Sequence, residues 1–291
     1  MASRTLVTTR TMAAHLADPL WLVVDCRFSL DDKARGERDY RVAHVPGAVY
    51  ANVERELSSP AVAGKTGRHP LPDIDYLADL LGSWGVDDGV TVVAYDDAGG
   101  SMASRLWWLL RYLGHDDVAV LNGGWATWLA RGCPVSQEPA LRESRRFVAR
   151  PRPWMVVGAP EVERLAHGPR FCLLDARSAE RYRGEGETID PVAGHIPDAR
   201  SAPWLENLRP NGTLKAAARL RSRYEELLGD APASRAIVYC GSGITATHDV
   251  LAMCRAGFDE PRLFAGSWSE WITEPSRPVA VGPEPGRPAT G

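Results

Sequence analysis

Residues 237–248 read IVYCGSGITATH, and this short stretch decides the fold class. An apolar run that contains β-branched residues ends at Cys240, a loop of small residues follows, and helix-forming residues then resume. That order is typical of a buried parallel strand that leads through a tight loop into a helix. Functional groups of an open α/β sheet gather at the carboxyl ends of its strands, which is where this order puts Cys240.

The motifs around this stretch occur twice along the chain. Four pairs match in the same order: residues 22–27 (LVVDCR) with 173–177 (LLDAR), 42–48 (VAHVPGA) with 192–199 (VAGHIPDA), 92–96 (VVAYD) with 237–240 (IVYC), and 121–125 (LNGGW) with 264–268 (FAGSW). The spacing between partners drifts only slowly. Such self-similarity predicts two copies of one domain.

Each copy is predicted to be a small α/β domain with a parallel sheet flanked by helices. Short apolar runs alternate with helix-like segments; the runs are 21–24, 90–94, 118–121, 171–174, 236–239 and 262–264, and the clearest helical segments are 101–113 and 214–228. We expect an N-terminal domain at 1–133, a polar linker at 134–153, a second domain at 154–274 and a flexible tail at 275–291. A chain of 291 residues fits two domains.

Composition excludes several classes of protein. The net charge of −3 gives no basic excess for nucleic acid. No apolar stretch approaches the roughly 18–20 residues of a membrane span, so we expect a soluble protein with no membrane partner. The five cysteines include no Cys-x-x-Cys pair, which argues against a zinc site and a disulfide framework and favours a reducing, cytoplasmic compartment.

The Cys240 loop, residues 241–245, has the composition of a loop that stabilises a cysteine thiolate. If its backbone N–H groups point inward and a helix begins near Thr245, the sulfur of Cys240 lies among donors at a helix N-terminus. Such surroundings favour the thiolate and lower a cysteine pKa from about 8.5 to roughly 3.5–7.5. The glycines allow close approach of the backbone, and Ser242 adds a hydroxyl donor.

Three other interpretations of this loop remain open from the residues alone. Cys240 could be a buried structural cysteine, since free cysteines are often buried. Residues 241–246 also match the dinucleotide pattern G-x-G-x-x-A, although they lie in the last fifth of the chain. A phosphatase loop, Cys-x5-Arg, would need arginine where this chain has Ala246.

Together these motifs resemble the tandem-domain sulfurtransferases of the rhodanese family, which include 3-mercaptopyruvate sulfurtransferase. The resemblance extends from about Thr5 to Trp271 and rests on the Asp-x-Arg strand ends, the two His-x-Pro turns, the Cys240 loop and residues 266–271 (GSWSEW). In this family the N-terminal copy keeps the fold without the cysteine. Asp96 at the position that matches Cys240 agrees with that.

The resemblance implies a sulfurtransferase that carries sulfur as a persulfide on Cys240. Family members that use mercaptopyruvate have the loop Cys-Gly-Ser/Thr-Gly-Val-Thr, and residues 240–245 (CGSGIT) are similar. The expected donor is therefore 3-mercaptopyruvate, and the acceptor is a thiol such as thioredoxin or glutathione, or cyanide. No metal and no organic cofactor is expected, because the persulfide is itself the carrier.

The resemblance also implies the roles of individual residues. Cys240 is the nucleophile, a proton relay comprises Ser242, His69 and Glu54, and the loop residues Gly241, Gly243, Ile244 and Thr245 bind the substrate. Arg181 matches the arginine that anchors the substrate carboxylate. The second arginine of the animal mercaptopyruvate enzymes has no counterpart in residues 185–190 (EGETID), where Arg183 is the nearest substitute.

Two alternative functions remain open at this point. Thiosulfate:cyanide sulfurtransferase activity is the alternative within the family, although its members typically place basic residues directly after the cysteine. A non-catalytic binding or redox-sensing module is the alternative from another class, with Cys240 responding to oxidants.

Overall fold

The computed structural model describes residues 5–165 and 171–286. The chain forms two units, each built around its own parallel sheet. The first comprises the described residues of 5–59, 71–153 and 210–214, and the second those of 60–70, 154–209 and 215–286. The short segment 60–70 therefore belongs to the same unit as Cys240, although it comes from the N-terminal half of the chain.

The first unit has a five-stranded sheet in the order β1-β5-β4-β2-β3, with every pair parallel. In chain order its elements are β1 Leu6–Val7, α1 Thr9–Ala14, β2 Trp21–Asp25, α2 Arg35–Val42, β3 Val49–Tyr50, α3 Ile74–Ser83, β4 Thr91–Tyr95, α4 Ala103–Tyr112, β5 Val118–Leu121 and α5 Gly124–Ala130. The central strand β4 is buried along its whole length, and its sequence after Thr91 is apolar or aromatic, as expected for a strand covered on both faces.

The second unit repeats this architecture, with five parallel strands in the order β6-β10-β9-β7-β8. Its elements are β6 Val156–Val157, α6 Ala159–Leu165, β7 Cys172–Asp175, α7 Ala179–Arg183, β8 Ala199–Ser201, α8 Ala217–Leu228, β9 Ala236–Tyr239, α9 Ala246–Arg255, β10 Arg262–Phe264 and α10 Ser267–Trp271, with 3-10 turns at Trp204–Asn207 and Ala233–Arg235. The two strand orders correspond position by position. The predicted fold class, two tandem α/β domains with parallel sheets flanked by helices, is confirmed.

The predicted linker, 134–153, forms part of the first unit. Ser136 and His44 form an antiparallel bridge, the N–H of Arg145 donates to the carbonyl of Gly82, and that of Arg150 donates to the carbonyl of Leu113. A segment without periodicity is thus attached through backbone hydrogen bonds, because its N–H and C=O groups need partners where they are covered.

Part of the predicted tail, up to residue 286, also forms backbone hydrogen bonds with the second unit. Ala280 forms an antiparallel bridge with His195, and the N–H of Gly282 donates to the carbonyl of Arg183. The N–H of Asp198 donates to the carbonyl of Pro285. Residues 287–291 lie outside the described residues.

The helices of residues 5–165 and 171–286 include none that combines the length and the apolar character of a membrane span.

Candidate active site

Cys240 follows β9, the central strand of the second sheet, and the Cys240 loop connects it to α9. The N–H of Gly243 donates to Cys240 Sγ at 3.1 Å. Gly243 has a φ of +78°, and a Cβ there would lie 2.1 Å from the carbonyl oxygen of Ala265. Only glycine fits this backbone conformation and this space, so the residue type is what brings the amide onto the sulfur.

A turn after β10 holds the cysteine from the other side. The N–H of Cys240 donates to Ser267 Oγ at 3.0 Å, and the N–H of Trp268 donates to the carbonyl of Cys240 at 2.9 Å. Ser267 Oγ also lies 4.0 Å from Cys240 Sγ. Only 1% of Cys240 is exposed, so the sulfur sits in a fixed, water-poor environment.

The remaining amides of the Cys240 loop are available to a ligand. In the part of the chain that the structure describes, the N–H groups of Ser242, Ile244 and Thr245 have no protein acceptor. They lie immediately before α9, whose dipole favours negative charge at this end. A loop with spare donors next to a sulfur can stabilise an anion that is larger than the thiolate alone.

The corresponding loop of the first unit shows this capacity directly. Asp96 follows β4 as Cys240 follows β9, and its buried carboxylate accepts four backbone hydrogen bonds at 2.8–2.9 Å, from the amides of Ala98, Gly100, Met102 and Ala103. Burial raises the pKa of Asp96, and the four amides oppose that rise. The loop architecture shared by both copies therefore binds an anionic side chain through main-chain amides.

Two other cysteines differ from Cys240 in their surroundings. Burial raises the pKa of the Cys172 thiol to about 11. Burial, with the nearby carboxylate of Asp25, raises the pKa of Cys26 well above its usual value. Neither side chain is a thiolate near neutral pH, which leaves them as structural cysteines.

The structure places His69 and Ser242 together although 173 positions separate them in sequence. His69 Nδ1 lies 2.7 Å from Ser242 Oγ, and both side chains are more than nine-tenths buried. The segment 60–70 is fixed in this position by the N–H of Arg68, which donates to Ser269 Oγ at 3.0 Å. Gly67 permits this approach, since a Cβ there would lie 2.4 Å from the carbonyl oxygen of Gly266.

Glu54, the third predicted member of the relay, belongs to the first unit. Its carboxylate forms an ion pair with Lys33 at 2.7 Å, and its side chain is 25% exposed. Its predicted function in the relay stays a prediction.

The two arginines predicted to bind the substrate differ in position. Arg181 lies in α7 with Nη1 directed at Gly241: a Cβ built on Gly241 would be 3.4 Å from it. Arg183, the last residue of α7, instead donates from Nη2 to Glu185 at 2.8 Å. It is not among the nearest contacts of a Cβ built on Gly241. The structure therefore brings Arg181 to the Cys240 loop and pairs Arg183 with an exposed carboxylate.

Several residues of this site were not identified from the sequence. Ser267 lies within the repeated motif at 264–268, and its positive φ of 55° marks a special turn that composition does not reveal. Arg68 directly precedes His69. Asp190 and Glu187 lie in the acidic stretch 185–190, where carboxylates usually face solvent, yet their side chains are 2% and 3% exposed. No periodic signal distinguishes these carboxylates from surface residues.

The described residues contain no cluster of three or more histidine, cysteine, aspartate or glutamate side chains arranged to hold a metal ion.

The family description "Rhodanese-like domain" matches residues 8–131 and 159–274, most of both units. The chain belongs to the rhodanese family. A Pseudomonas aeruginosa protein named "Probable 3-mercaptopyruvate sulfurtransferase" is 46% identical over 97% of this chain and 100% of its own length. The thiosulfate sulfurtransferase of Rattus norvegicus is 32% identical over 92% of each chain. The 3-mercaptopyruvate sulfurtransferase from Leishmania major superposes with a TM-score of 0.82 at 30% identity, over 93% of this chain and 75% of that one.

These rhodanese relatives confirm the predicted family and the prediction of an enzyme of the sulfurtransferase class. Some of these relatives are named 3-mercaptopyruvate sulfurtransferases, and others are named thiosulfate sulfurtransferases.

Proposed function

We propose that this rhodanese-family protein transfers sulfur from 3-mercaptopyruvate to a thiol acceptor through a persulfide on Cys240. The observation that carries the proposal is the contact of Cys240 Sγ with the N–H of Gly243, next to loop amides that have no protein acceptor in the described chain. This arrangement supports a sulfur anion before transfer and a longer persulfide anion after it. The loop carries no basic side chain, which suits a monoanionic donor.

The first half-reaction forms one S–S bond and breaks one C–S bond. The thiolate of Cys240 attacks the sulfur of mercaptopyruvate, and the electron pair of the C–S bond passes to the leaving pyruvate enolate. The enolate takes up a proton to become pyruvate, and the outer sulfur stays on Cys240. An acceptor thiol then attacks that outer sulfur and releases the Cys240 thiolate, which gives a ping-pong cycle.

We propose Ser242 and His69 as the groups that supply this proton, with Glu54 as the third member of the relay. The support is the 2.7 Å contact between Ser242 Oγ and His69 Nδ1 beside the nucleophile. Arg181, directed at Gly241, is the proposed anchor for the donor carboxylate.

Ser242→Ala and His69→Ala should each slow turnover of mercaptopyruvate by about 10²-fold, because each removes a step of one proton path. The double variant should be no slower than the worse single variant, since groups that act as one unit are not additive. Steady-state rates of the three variants check this. Ser222→Ala, on the exposed face of α8, is the matched control. Effects that simply add in the double variant would contradict a shared relay.

The test of the proposed function measures intact mass and steady-state rates with both donors. Mercaptopyruvate should add one sulfur atom to the wild-type chain, and kcat/KM for mercaptopyruvate should exceed that for thiosulfate. A kcat/KM for thiosulfate tenfold above that for mercaptopyruvate would replace the proposed donor. No mass gain with either donor would instead favour a binding or redox-sensing module.

The proposed acceptor is a thiol such as thioredoxin or glutathione in the cytoplasm. The five cysteines of the sequence include no Cys-x-x-Cys pair, which suits a reducing compartment. Addition of either thiol to the sulfur-loaded protein should return its mass to the starting value.

A further inference from the structure

The helix that follows the Cys240 loop, α9, carries a buried carboxyl group in its first turn. Asp249 is that residue, and it is 0% exposed. Four helix positions separate it from Thr245, which corresponds to about 6 Å along the helix axis. Helical side chains also tilt toward the N-terminus of their helix. We therefore place the carboxyl group on the order of 10 Å from the sulfur of Cys240.

Asp249 belongs to a buried polar cluster that joins three elements of the second unit. Its Oδ1 accepts from Asn207 Nδ2 at 2.6 Å, and Asn207 is the last residue of the 3-10 turn that follows β8. Asn207 Nδ2 also lies 3.3 Å from His248 Nδ1. Tyr224, on α8, donates from its hydroxyl to Asn207 Oδ1 at 3.0 Å. These contacts fix the position of the carboxyl group.

Arg223, the cation of this cluster, directs its hydrogen bonds to other acceptors. It donates to Asn207 Oδ1 and to the carbonyl of Pro203, both at 3.1 Å, and to Glu206 Oε2 at 3.3 Å. Within residues 5–165 and 171–286, Asp249 Oδ2 is buried without a hydrogen-bond partner. An ionised Asp249 would keep this oxygen unpaired in a water-poor place, so the cluster favours the neutral acid.

The carboxyl group of Asp249 changes its charge near neutral pH. Burial raises the pKa of Asp249 to about 7, while Arg223, Asn207 and Tyr224 act to lower it. Asp175, at the end of β7, acts to raise it. Burial also raises the pKa of Tyr224 well above its usual value, so this neighbour stays neutral. Asp249 is thus uncharged in mildly acidic solution and charged in mildly alkaline solution.

A charge on Asp249 acts against a sulfur anion at Cys240. The helix dipole of α9 and the loop amides stabilise a negative charge in front of the helix. An ionised carboxylate in the first turn places a second negative charge at the same end, and like charges repel where water is scarce. A neutral Asp249 leaves the positive end of α9 to the sulfur. Because such coupling is reciprocal, a sulfur anion also keeps the proton on Asp249 to a higher pH.

We propose that Asp249 is a positioning residue for the charge on Cys240. When it is uncharged, the positive end of α9 serves the thiolate and the persulfide anion, and when it is ionised, their stabilisation is weaker. The inference rests on the proposed sulfur transfer at Cys240. It adds a buried residue that acts through α9 and touches neither donor nor acceptor.

The first measurement follows persulfide formation by rapid mixing and intact mass, with mercaptopyruvate below saturation, from about pH 5.5 to about pH 8.5. Asp249→Asn keeps the shape of the side chain and never carries a charge. Its second-order rate constant should equal that of wild type at the acidic end. At the alkaline end it should be about 3- to 20-fold higher, the effect of one charge about 10 Å away at an effective dielectric constant of about 20 or more.

Asp75→Asn is the matched control, since Asp75 is an exposed acidic residue in the first turn of another helix, α3. This variant should follow wild type at every pH. A ratio between the rates of Asp249→Asn and wild type that does not change with pH would show a structural function alone and overturn the proposal.

The second measurement needs no sulfur transfer and separates the possible failures. The carboxyl carbon of Asp249 is identified as the NMR signal that Asp249→Asn lacks. It should titrate about 0.5 to 1.3 pH units lower in Cys240→Ser, which has no sulfur anion, than in wild type. Equal midpoints, or a wild-type midpoint in the range of ordinary aspartates, would contradict the coupling. A shifted midpoint in a protein that gains no sulfur from mercaptopyruvate would overturn the proposed sulfur transfer and leave the coupling in place.

Discussion

A Cys240→Ser variant should gain no sulfur from mercaptopyruvate, and its turnover should fall by on the order of 10⁴-fold or more, as for other enzymes that lose their nucleophile. The hydroxyl of serine is far less acidic than a thiol and cannot form a persulfide. Since the change replaces one small side chain by another, the fold should survive, and circular dichroism checks this. Intact mass after addition of the donor gives the result directly.

Cys254→Ser is the matched control for this variant. Cys254 lies on α9, the helix that follows the Cys240 loop, and is partly exposed. The control should load one sulfur atom at the wild-type rate. Loading of the Cys240→Ser variant at that rate would place the sulfur on another residue and end the proposed mechanism.

Gly243→Ala should slow persulfide formation by about 10²-fold, the usual effect of losing one donor to a developing anion. The new methyl group cannot remain 2.1 Å from the carbonyl oxygen of Ala265, so the loop must move and carry its N–H away from Cys240 Sγ. The positive φ adds strain of about 1–2 kcal/mol for any residue with a Cβ. Stopped mixing followed by mass analysis gives the rate, and urea unfolding gives the loss of stability.

Gly257→Ala separates the two effects. Gly257 follows α9 with a φ of +81°, and a Cβ there would meet no atom within 4 Å. It should lose about 1–2 kcal/mol of stability from the backbone conformation alone and load sulfur at the wild-type rate. If Gly243→Ala also loaded sulfur at that rate, the amide of Gly243 would have no function in stabilising the sulfur anion.

The fold was predictable from the sequence because the strand-end and turn motifs of one domain recur in the same order in the other. The central strands β4 and β9 are buried on both faces and appear as largely apolar runs that end at corresponding residues. The edge strands β1, β3, β6 and β8 were missed, since two or three residues carry no periodicity and their pairing depends on the neighbouring strand.

The candidate site was predictable only where a motif marks it. The loop after β9 predicted Cys240 and its surroundings, and the family resemblance supplied His69 and Arg181. Arg68 and its partner Asp190 were missed because 122 positions separate them and neither lies in a periodic pattern. Which of many arginines meets which carboxylate is decided by tertiary packing, and this chain has numerous charged residues of both signs.

The loops after β4 and β9 occupy corresponding positions in the two units, and one can be compared with the other. In the first unit the loop amides bind the carboxylate of Asp96. Because Asp96 is part of the chain, these amides are occupied and cannot bind an exchangeable ligand. In the second unit the corresponding position is Cys240, whose sulfur we propose gains and then releases one further sulfur atom. The same loop architecture thus holds a fixed carboxylate in one unit and a proposed sulfur carrier in the other.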